Sequence, residues 1–73
     1  MTKFYEIDIT TMGEEKLMRI YRIVRFANNN PGEGWNKYIE DLEMTLDDNG
    51  NIIVRGWATK PRWDNFVKVV IKH

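Results

Sequence analysis

The 73-residue sequence contains no cysteine and no serine, and its single histidine is the last residue, His73. Without thiolates the chain can form neither a disulfide bond nor a cysteine-ligated zinc site. A serine or cysteine nucleophile paired with a histidine base is also excluded, because the only imidazole lies at a terminus that is prone to fray. We therefore expect a protein that binds a partner without catalysis and without a metal or another cofactor.

Carboxylates are the remaining candidates for catalysis, and five of them cluster in the sequence at Glu40, Asp41, Glu43, Asp47 and Asp48. A catalytic carboxylate pair needs a cleft in which the pKa of one acid is raised. A chain this short has little room for such a cleft beside its core. We interpret the cluster as a solvated strand face followed by a polar turn.

Long hydrophobic runs are also missing, since no apolar stretch approaches the roughly 20 residues of a membrane span. Acidic residues occur at Glu6 and Asp8, where a signal peptide would be hydrophobic. Secreted domains of this size usually depend on disulfides. These features predict a cytoplasmic protein that does not associate with a membrane.

Charge is balanced overall but unevenly distributed along the chain. Residues 1–50 contain six basic and ten acidic side chains, whereas residues 51–73 contain five basic side chains and one acidic one. If the halves do not interleave in space, the folded protein has two faces of opposite potential. Such a surface steers partners and opposes non-specific binding to nucleic acid.

The length and the 42% hydrophobic content predict one domain, residues 1–73. Alternation over residues 3–10 predicts a half-buried strand. Residues 14–27 favour a helix, with Thr11 and Glu14 as a capping box and with Asn28–Pro31 as its end. Its apolar stripe is formed by Leu17, Ile20, Tyr21, Val24 and Ala27. The segment is also rich in strand formers, so a strand is the alternative.

A hairpin is predicted from residues 38–46 and 51–59. The Asp48-Asn49-Gly50 sequence suits a three-residue loop in which Gly50 takes a positive φ. This loop pairs Leu46 with Ile52, Met44 with Val54 and Leu42 with Gly56. It also places Glu43 opposite Arg55, which is a favourable cross-strand pair. The alternative two-residue loop would split the apolar face, because a one-residue slip reverses every side chain.

Residues 66–72 match both a helical and a strand period. Three valines and an isoleucine within five residues favour a strand, and Pro61 indicates a loop over residues 59–65. The predicted fold is therefore α+β, with one helix packed on a small antiparallel sheet in the order β-α-β-β-β. The alternative is a five-stranded all-β barrel.

Two sets of residues are candidates for partner binding. The first alternates aromatic and cationic side chains: Arg55, Trp57, Lys60, Arg62 and Trp63. These residue types stack nucleic-acid bases and hold phosphates, and they are also enriched at protein-binding hot spots. The tryptophans could instead belong to the core. The second set is Arg19, Arg22 and Arg25 on the exposed helix face, which suits an acidic partner surface or a phosphate, although such faces are commonly just solvated.

These observations together predict a small protein-binding module. A domain without nucleophiles or cofactors can act by covering a surface on a larger protein. Regulators and inhibitors from phages and mobile elements that bind host complexes, such as RNA polymerase or a defence nuclease, are built in this way. Binding of single-stranded nucleic acid through the aromatic and cationic set is the alternative, and it predicts affinity that falls steeply with salt.

Overall fold

Three antiparallel strands form the sheet in the computed structural model, which describes residues 1–73. β1 spans Lys3–Asp8, β2 spans Glu40–Leu46 and β3 spans Ile52–Ala58. The spatial order is β1-β3-β2, so β3 is central and the other two strands are edges. Because side chains alternate along a strand, Val54 and Ala58 face the core while Arg55 and Trp57 face the opposite side.

Two helices cover one face of this sheet. α1 spans Glu14–Asn29, and α2 begins with Lys60–Phe66 and continues without interruption as a π-helical turn, Val67–Ile71. A 3₁₀ turn, Gly34–Lys37, lies between α1 and β2. The α+β class is confirmed, and the barrel alternative is not supported, because residues 14–29 form a helix and the sheet is open.

The last predicted strand was wrong, because residues 66–71 are helical. The strand propensity of the valines is outweighed by the burial that a helix provides. Helical spacing brings Trp63, Phe66, Val70 and Ile71 together in the core. Residues 59–65 are correspondingly not a loop: Thr59 is the residue before the helix and Pro61 occupies its first turn, where a missing N–H costs nothing.

α1 begins at Glu14 as predicted and extends two residues beyond the predicted Ala27, but its caps differ from the predicted ones. Gly13, not Thr11, precedes the helix, and no side-chain cap is formed. The residues just before it are held in a turn, in which Asp8 accepts hydrogen bonds from the amide and hydroxyl of Thr10. At the other end Asn30 has φ −130°, so it is not left-handed. Its side-chain amide instead donates to the carbonyl of Phe26 at 2.9 Å.

The hairpin prediction is confirmed at the turn. Gly50 has φ 81°, Leu46 pairs with Ile52, Met44 with Val54, and Glu43 with Arg55. The predicted register ends at Glu43, because Asp41 takes φ 55° and a bulge pairs Glu40 with Trp57.

The core lies between the sheet and the two helices. α1 contributes Ile20, Val24 and Ala27, as its apolar stripe predicted, while Tyr21 of that stripe is exposed. The remaining fully buried large side chains come from every layer: Ile9, Ile39, Leu42, Val54, Phe66, Val70 and Ile71. Neither helix has the length and hydrophobicity required to cross a bilayer.

Candidate binding groove between the two helices

The exposed face of the sheet carries two of the predicted aromatic and cationic residues. Trp57 is 43% exposed and lies beside Phe4, with ring centroids 5.3 Å apart. Arg55 is paired with Glu43 at 2.5 Å. The charge of Arg55 is therefore already neutralised by a neighbouring strand.

The other members of that set lie elsewhere. Trp63 is only 6% exposed and stacks on Tyr5 at 5.6 Å, inside the core. Arg62 lies over the ring of Tyr38, 4.1 Å from its centroid. Lys60 forms an exposed ion pair with Asp64 one helical turn away. The sequence cluster is thus divided among the sheet face, the core and the start of α2.

Two of the three helix arginines, Arg19 and Arg22, line a groove between α1 and the π-helical turn. Arg19 is half-buried and donates a hydrogen bond to the carbonyl of Val70 at 2.6 Å, while Arg22 is exposed beside it. Arg25 lies on another side of α1, in a depression next to Tyr21 and Met44. Each step of three residues turns the side chain by about 60° around the helix axis, so Arg19 and Arg25 point about 120° apart and the three arginines do not form one row.

The groove itself runs between α1 and the π-helical turn and has a volume of about 510 Å³. Its walls and floor are predominantly apolar, with Arg19 and Arg22 on the α1 side. The apolar lining residues are Ile23, Phe26, Trp35, Val69 and Val70. We call this feature the inter-helix groove.

Local folding explains how the inter-helix groove is held open. Trp35 comes from the 3₁₀ turn and contacts the ring of Phe66 edge-on at 5.3 Å, which anchors the floor to the core. Gly34, at φ 55°, also lines the groove, and a Cβ at this position would lie 3.5 Å from the ring of Phe26. Phe26 nevertheless remains 52% exposed and Val69 46% exposed. Neighbouring exposed apolar side chains with a polar rim are typical of an interaction site.

The charge distribution places this groove on the basic side of the molecule. The strands and the β2–β3 turn carry seven acidic and two basic residues, whereas residues 14–29 and 60–72 carry eight basic and three acidic ones. The basic residues of the helical layer are Lys16, Arg19, Arg22, Arg25, Lys60, Arg62, Lys68 and Lys72. The opposite charges therefore separate by layer, sheet against helices, and not by the halves of the sequence.

Sequence reasoning missed the apolar wall of the groove. Ile23 and Phe26 follow Arg19 at positions i+4 and i+7, outside the core stripe of α1. Two large apolar side chains displaced from the core stripe and interleaved with arginines were the available signal. Val69 could not be recognised because its segment was predicted to be a strand.

Carboxylates are distributed over the surface, and no charged side chain is buried. No group of three or more histidine, aspartate or glutamate side chains is placed to hold a metal ion. At Asp8, the hydroxyl of Thr10, and then the backbone amide of Thr10, lower the pKa below its usual value of 3.8.

Fold and groove together define a small α+β domain with an amphipathic groove on its helical layer. Comparison with protein-family models, curated proteins and solved structures finds no match to this chain. Its function is therefore inferred from its own residues.

Proposed function

We propose that this chain is a non-catalytic module that binds another protein, and that the partner inserts an acidic amphipathic segment into the inter-helix groove. The observation that carries the proposal is the juxtaposition of exposed Phe26 and Val69 with the guanidinium of Arg22. An apolar surface bordered by cations fits a segment whose apolar residues are flanked by aspartate or glutamate.

The dimensions of the groove favour a helical segment. The groove has one wall on α1 and one on the π-helical turn, and its volume of about 510 Å³ leaves space for side chains from one helix face. Helix-in-groove recognition uses anchors at i, i+3, i+4 and i+7. The eight basic residues of the helical layer add a long-range attraction that increases the association rate of an acidic partner.

Nucleic-acid binding has less geometric support. Base stacking and phosphate contacts require aromatic and cationic groups on one surface. Here Trp63 is buried, Arg55 is paired with Glu43, and Trp57 shares its sheet face with the acidic residues Glu6 and Asp8. Phosphates would be repelled from that face.

The proposal is tested by NMR titration with a defined probe. The probe is a helical peptide of about 14 residues, with leucine and phenylalanine at i, i+4 and i+7 and glutamate at the flanking positions. We expect saturable shifts at the amides of Ile23, Phe26 and Val69 and at the indole N–H of Trp35. The matched probe carries lysine in place of every glutamate and should bind much more weakly.

Matched variants locate the site. Phe26→Ala and Arg22→Glu should each weaken binding by about tenfold, the loss typical of an interface anchor. Met18→Ala and Arg25→Glu are the controls, because they change exposed side chains of α1 that do not line the groove. Equal affinity for both probes, or shifts confined to Trp57 and its neighbours, would contradict the proposal. Shifts at Trp57 with oligothymidylate at low salt would support nucleic-acid binding instead.

The biological setting is part of the same proposal. The partner would be a larger protein, such as a host complex regulated by a phage or mobile element, and the site of action would be the cytoplasm. The charge separation between the layers supports a regulator that covers an acidic surface, because the helical layer is basic and would face the partner.

A further inference from the structure

The edge of the sheet formed by β1 has no partner in the chain. β1 pairs only with β3, in an uninterrupted antiparallel register from Lys3 opposite Ala58 to Asp8 opposite Ile53. An edge strand presents unpaired N–H and C=O groups that can pair with another strand.

The phase of the ladder identifies which groups are free. The amide of Ile9 donates to the carbonyl of Ile52 at 2.8 Å, so Ile9 and Ile52 lie at a hydrogen-bonded position of the ladder, although the amide of Ile52 itself donates to the hydroxyl of Thr10. In an antiparallel ladder such pairs alternate with non-hydrogen-bonded ones. The inward-bonded residues of β1 are therefore Lys3, Tyr5 and Ile7. The backbone groups of Phe4, Glu6 and Asp8 point to the free edge.

A second groove lies along this edge, between β1 and α2, with a volume of about 490 Å³. Its apolar lining comes from Ile7, Val67 and the small exposed edge of Trp63, whose ring is otherwise buried. A strand that paired with β1 would direct alternate side chains onto this apolar surface, because its residues would follow the same pleat as β1.

Charges on the two sides of the groove differ in sign. Lys68 and Lys72 lie on the α2 side, four residues apart, and neither forms an ion pair within the chain, whereas Asp64 on the same side is paired with Lys60. Glu6 and Asp8 lie on the exposed sheet face at the edge; Arg55 lies opposite Glu6 in the register, but it forms its ion pair with Glu43, and neither Glu6 nor Asp8 forms one. A strand entering the groove would thus meet lysines beneath it and carboxylates on its other face.

We propose that β1 accepts an extended peptide segment by strand addition, and that this segment alternates basic residues on one face with apolar and acidic residues on the other. The basic residues lie beside Glu6 and Asp8. The apolar and acidic residues contact Ile7, Trp63 and Val67 and the ammonium groups of Lys68 and Lys72. A second copy of this chain fits less well, because antiparallel pairing centred on Glu6 opposes two identical carboxylates.

The experiment uses the full chain and a synthetic peptide of about seven residues, the length of an ordinary strand. The peptide has lysine or threonine at odd positions and valine, glutamate and valine at even positions. A matched peptide carries N-methyl groups on those amides that would donate to β1. We expect the first peptide to protect the amides of Phe4 and Glu6 from hydrogen exchange, with no change at Tyr5 and Ile7, and the methylated peptide to have no effect.

Protein variants add a second criterion. Lys68→Glu with Lys72→Glu should weaken peptide binding by roughly two- to tenfold, because the peptide's glutamate then meets two carboxylates in place of two exposed lysines. Lys37→Glu changes an exposed lysine of the 3₁₀ turn and should leave the affinity unchanged. Equal binding of the methylated peptide, or the absence of protection at Phe4 and Glu6, would overturn the proposal. Protection that increases with protein concentration alone would overturn it in favour of pairing between copies.

Discussion

The guanidinium of Arg19 in α1 donates a hydrogen bond to the main-chain carbonyl of Val70 in the π-helical turn, at 2.6 Å. Carbonyls in the last turn of a helix have no partner further along the chain, and cations stabilise that end of the helix dipole. This single contact connects residues that are 51 positions apart in the sequence. It joins the two walls of the inter-helix groove.

Arg19→Met should therefore destabilise the fold and loosen the groove. Methionine keeps much of the apolar stem but removes the donor, and loss of a hydrogen bond to a charged group costs about 1.5–3 kcal/mol. Urea unfolding measures the change in the free energy of unfolding. Arg22→Met is the control, since Arg22 makes no hydrogen bond within the chain and should cost less than about 0.5 kcal/mol. Equal decreases in the free energy of unfolding for the two variants would show that the hydrogen bond to Val70 does not stabilise the fold.

Glu43 and Arg55 form the cross-strand pair predicted from the turn, and their ion pair is partly exposed, with 48% and 38% of the side chains accessible. Glu43→Lys places two cations opposite each other and should destabilise the hairpin by about 0.2–1 kcal/mol, because solvent screens exposed pairs.

Charge exchange provides the control for this pair. The double variant Glu43→Lys with Arg55→Glu restores opposite charges across this pair but sets a glutamate opposite Glu6 of β1, so it should recover only part of the loss in a thermal unfolding experiment. High salt should reduce the difference between single and double variants. A double variant that is less stable than either single variant would refute a pairwise interaction.

The hairpin was predictable because its information is local. Gly50 requires a positive φ, and only one loop length keeps Leu46, Met44 and Val54 on one face. The C-terminal helix was not predictable by the same reasoning, since Val69, Val70 and Ile71 favour a strand when propensity is considered alone. Burial of Phe66 and Val70 against two other layers reversed that preference, and such packing is not visible within the segment.

The candidate site likewise contains residues that the sequence predicts locally and residues that only the packing brings together. Arg19 and Arg22 were recognisable from the sequence because their charge interrupts an apolar helix. The groove beside them needs Val69 and Trp35, which are 34 positions apart in the sequence, so no local pattern predicts it. Trp57 and Trp63 have similar neighbours in the sequence, yet the strand directs Trp57 outward while α2 buries Trp63.

Gly56 is required by close approach and not by its backbone conformation. A Cβ atom at this position would lie 2.6 Å from Cγ2 of Ile39 and 3.2 Å from the carbonyl oxygen of Glu40, where the bulge at Asp41 brings β2 over β3. Gly56→Ala should therefore destabilise the protein by about 1–3 kcal/mol, the usual cost of overpacking.

Gly50 offers a contrasting control in the same denaturant experiment. A Cβ at Gly50 meets nothing within 4 Å, and only its φ of 81° resists substitution. Gly50→Asn should be close to neutral, because asparagine tolerates the left-handed region, whereas Gly50→Ala should cost about 1 kcal/mol. If Gly56→Ala were also neutral, the close approach of Ile39 would not constrain the fold.

Asp8, at the end of β1, is connected through Thr10 to the start of β3. This connection makes the free energy of unfolding depend on pH in the acidic range. Its carboxylate accepts hydrogen bonds from the hydroxyl and amide of Thr10, and the same hydroxyl accepts one from the amide of Ile52 at 2.8 Å. These bonds to Thr10 lower the pKa of Asp8 in the folded chain below 3.8.

Because the folded-state pKa is lower than the unfolded one, this contribution to stability is complete above the unfolded pKa of 3.8 and is lost as pH falls through the folded pKa. Asp8→Asn should therefore flatten the decline in the free energy of unfolding on acidification below about pH 4.

Thr10→Val should raise the pKa of the Asp8 carboxyl, measured by NMR titration of its side chain, towards 3.8. The raised pKa would occur without unfolding, since the amide of Thr10 still donates to the carboxylate. A wild-type titration midpoint at or above 3.8 would show that the turn does not stabilise the charged form.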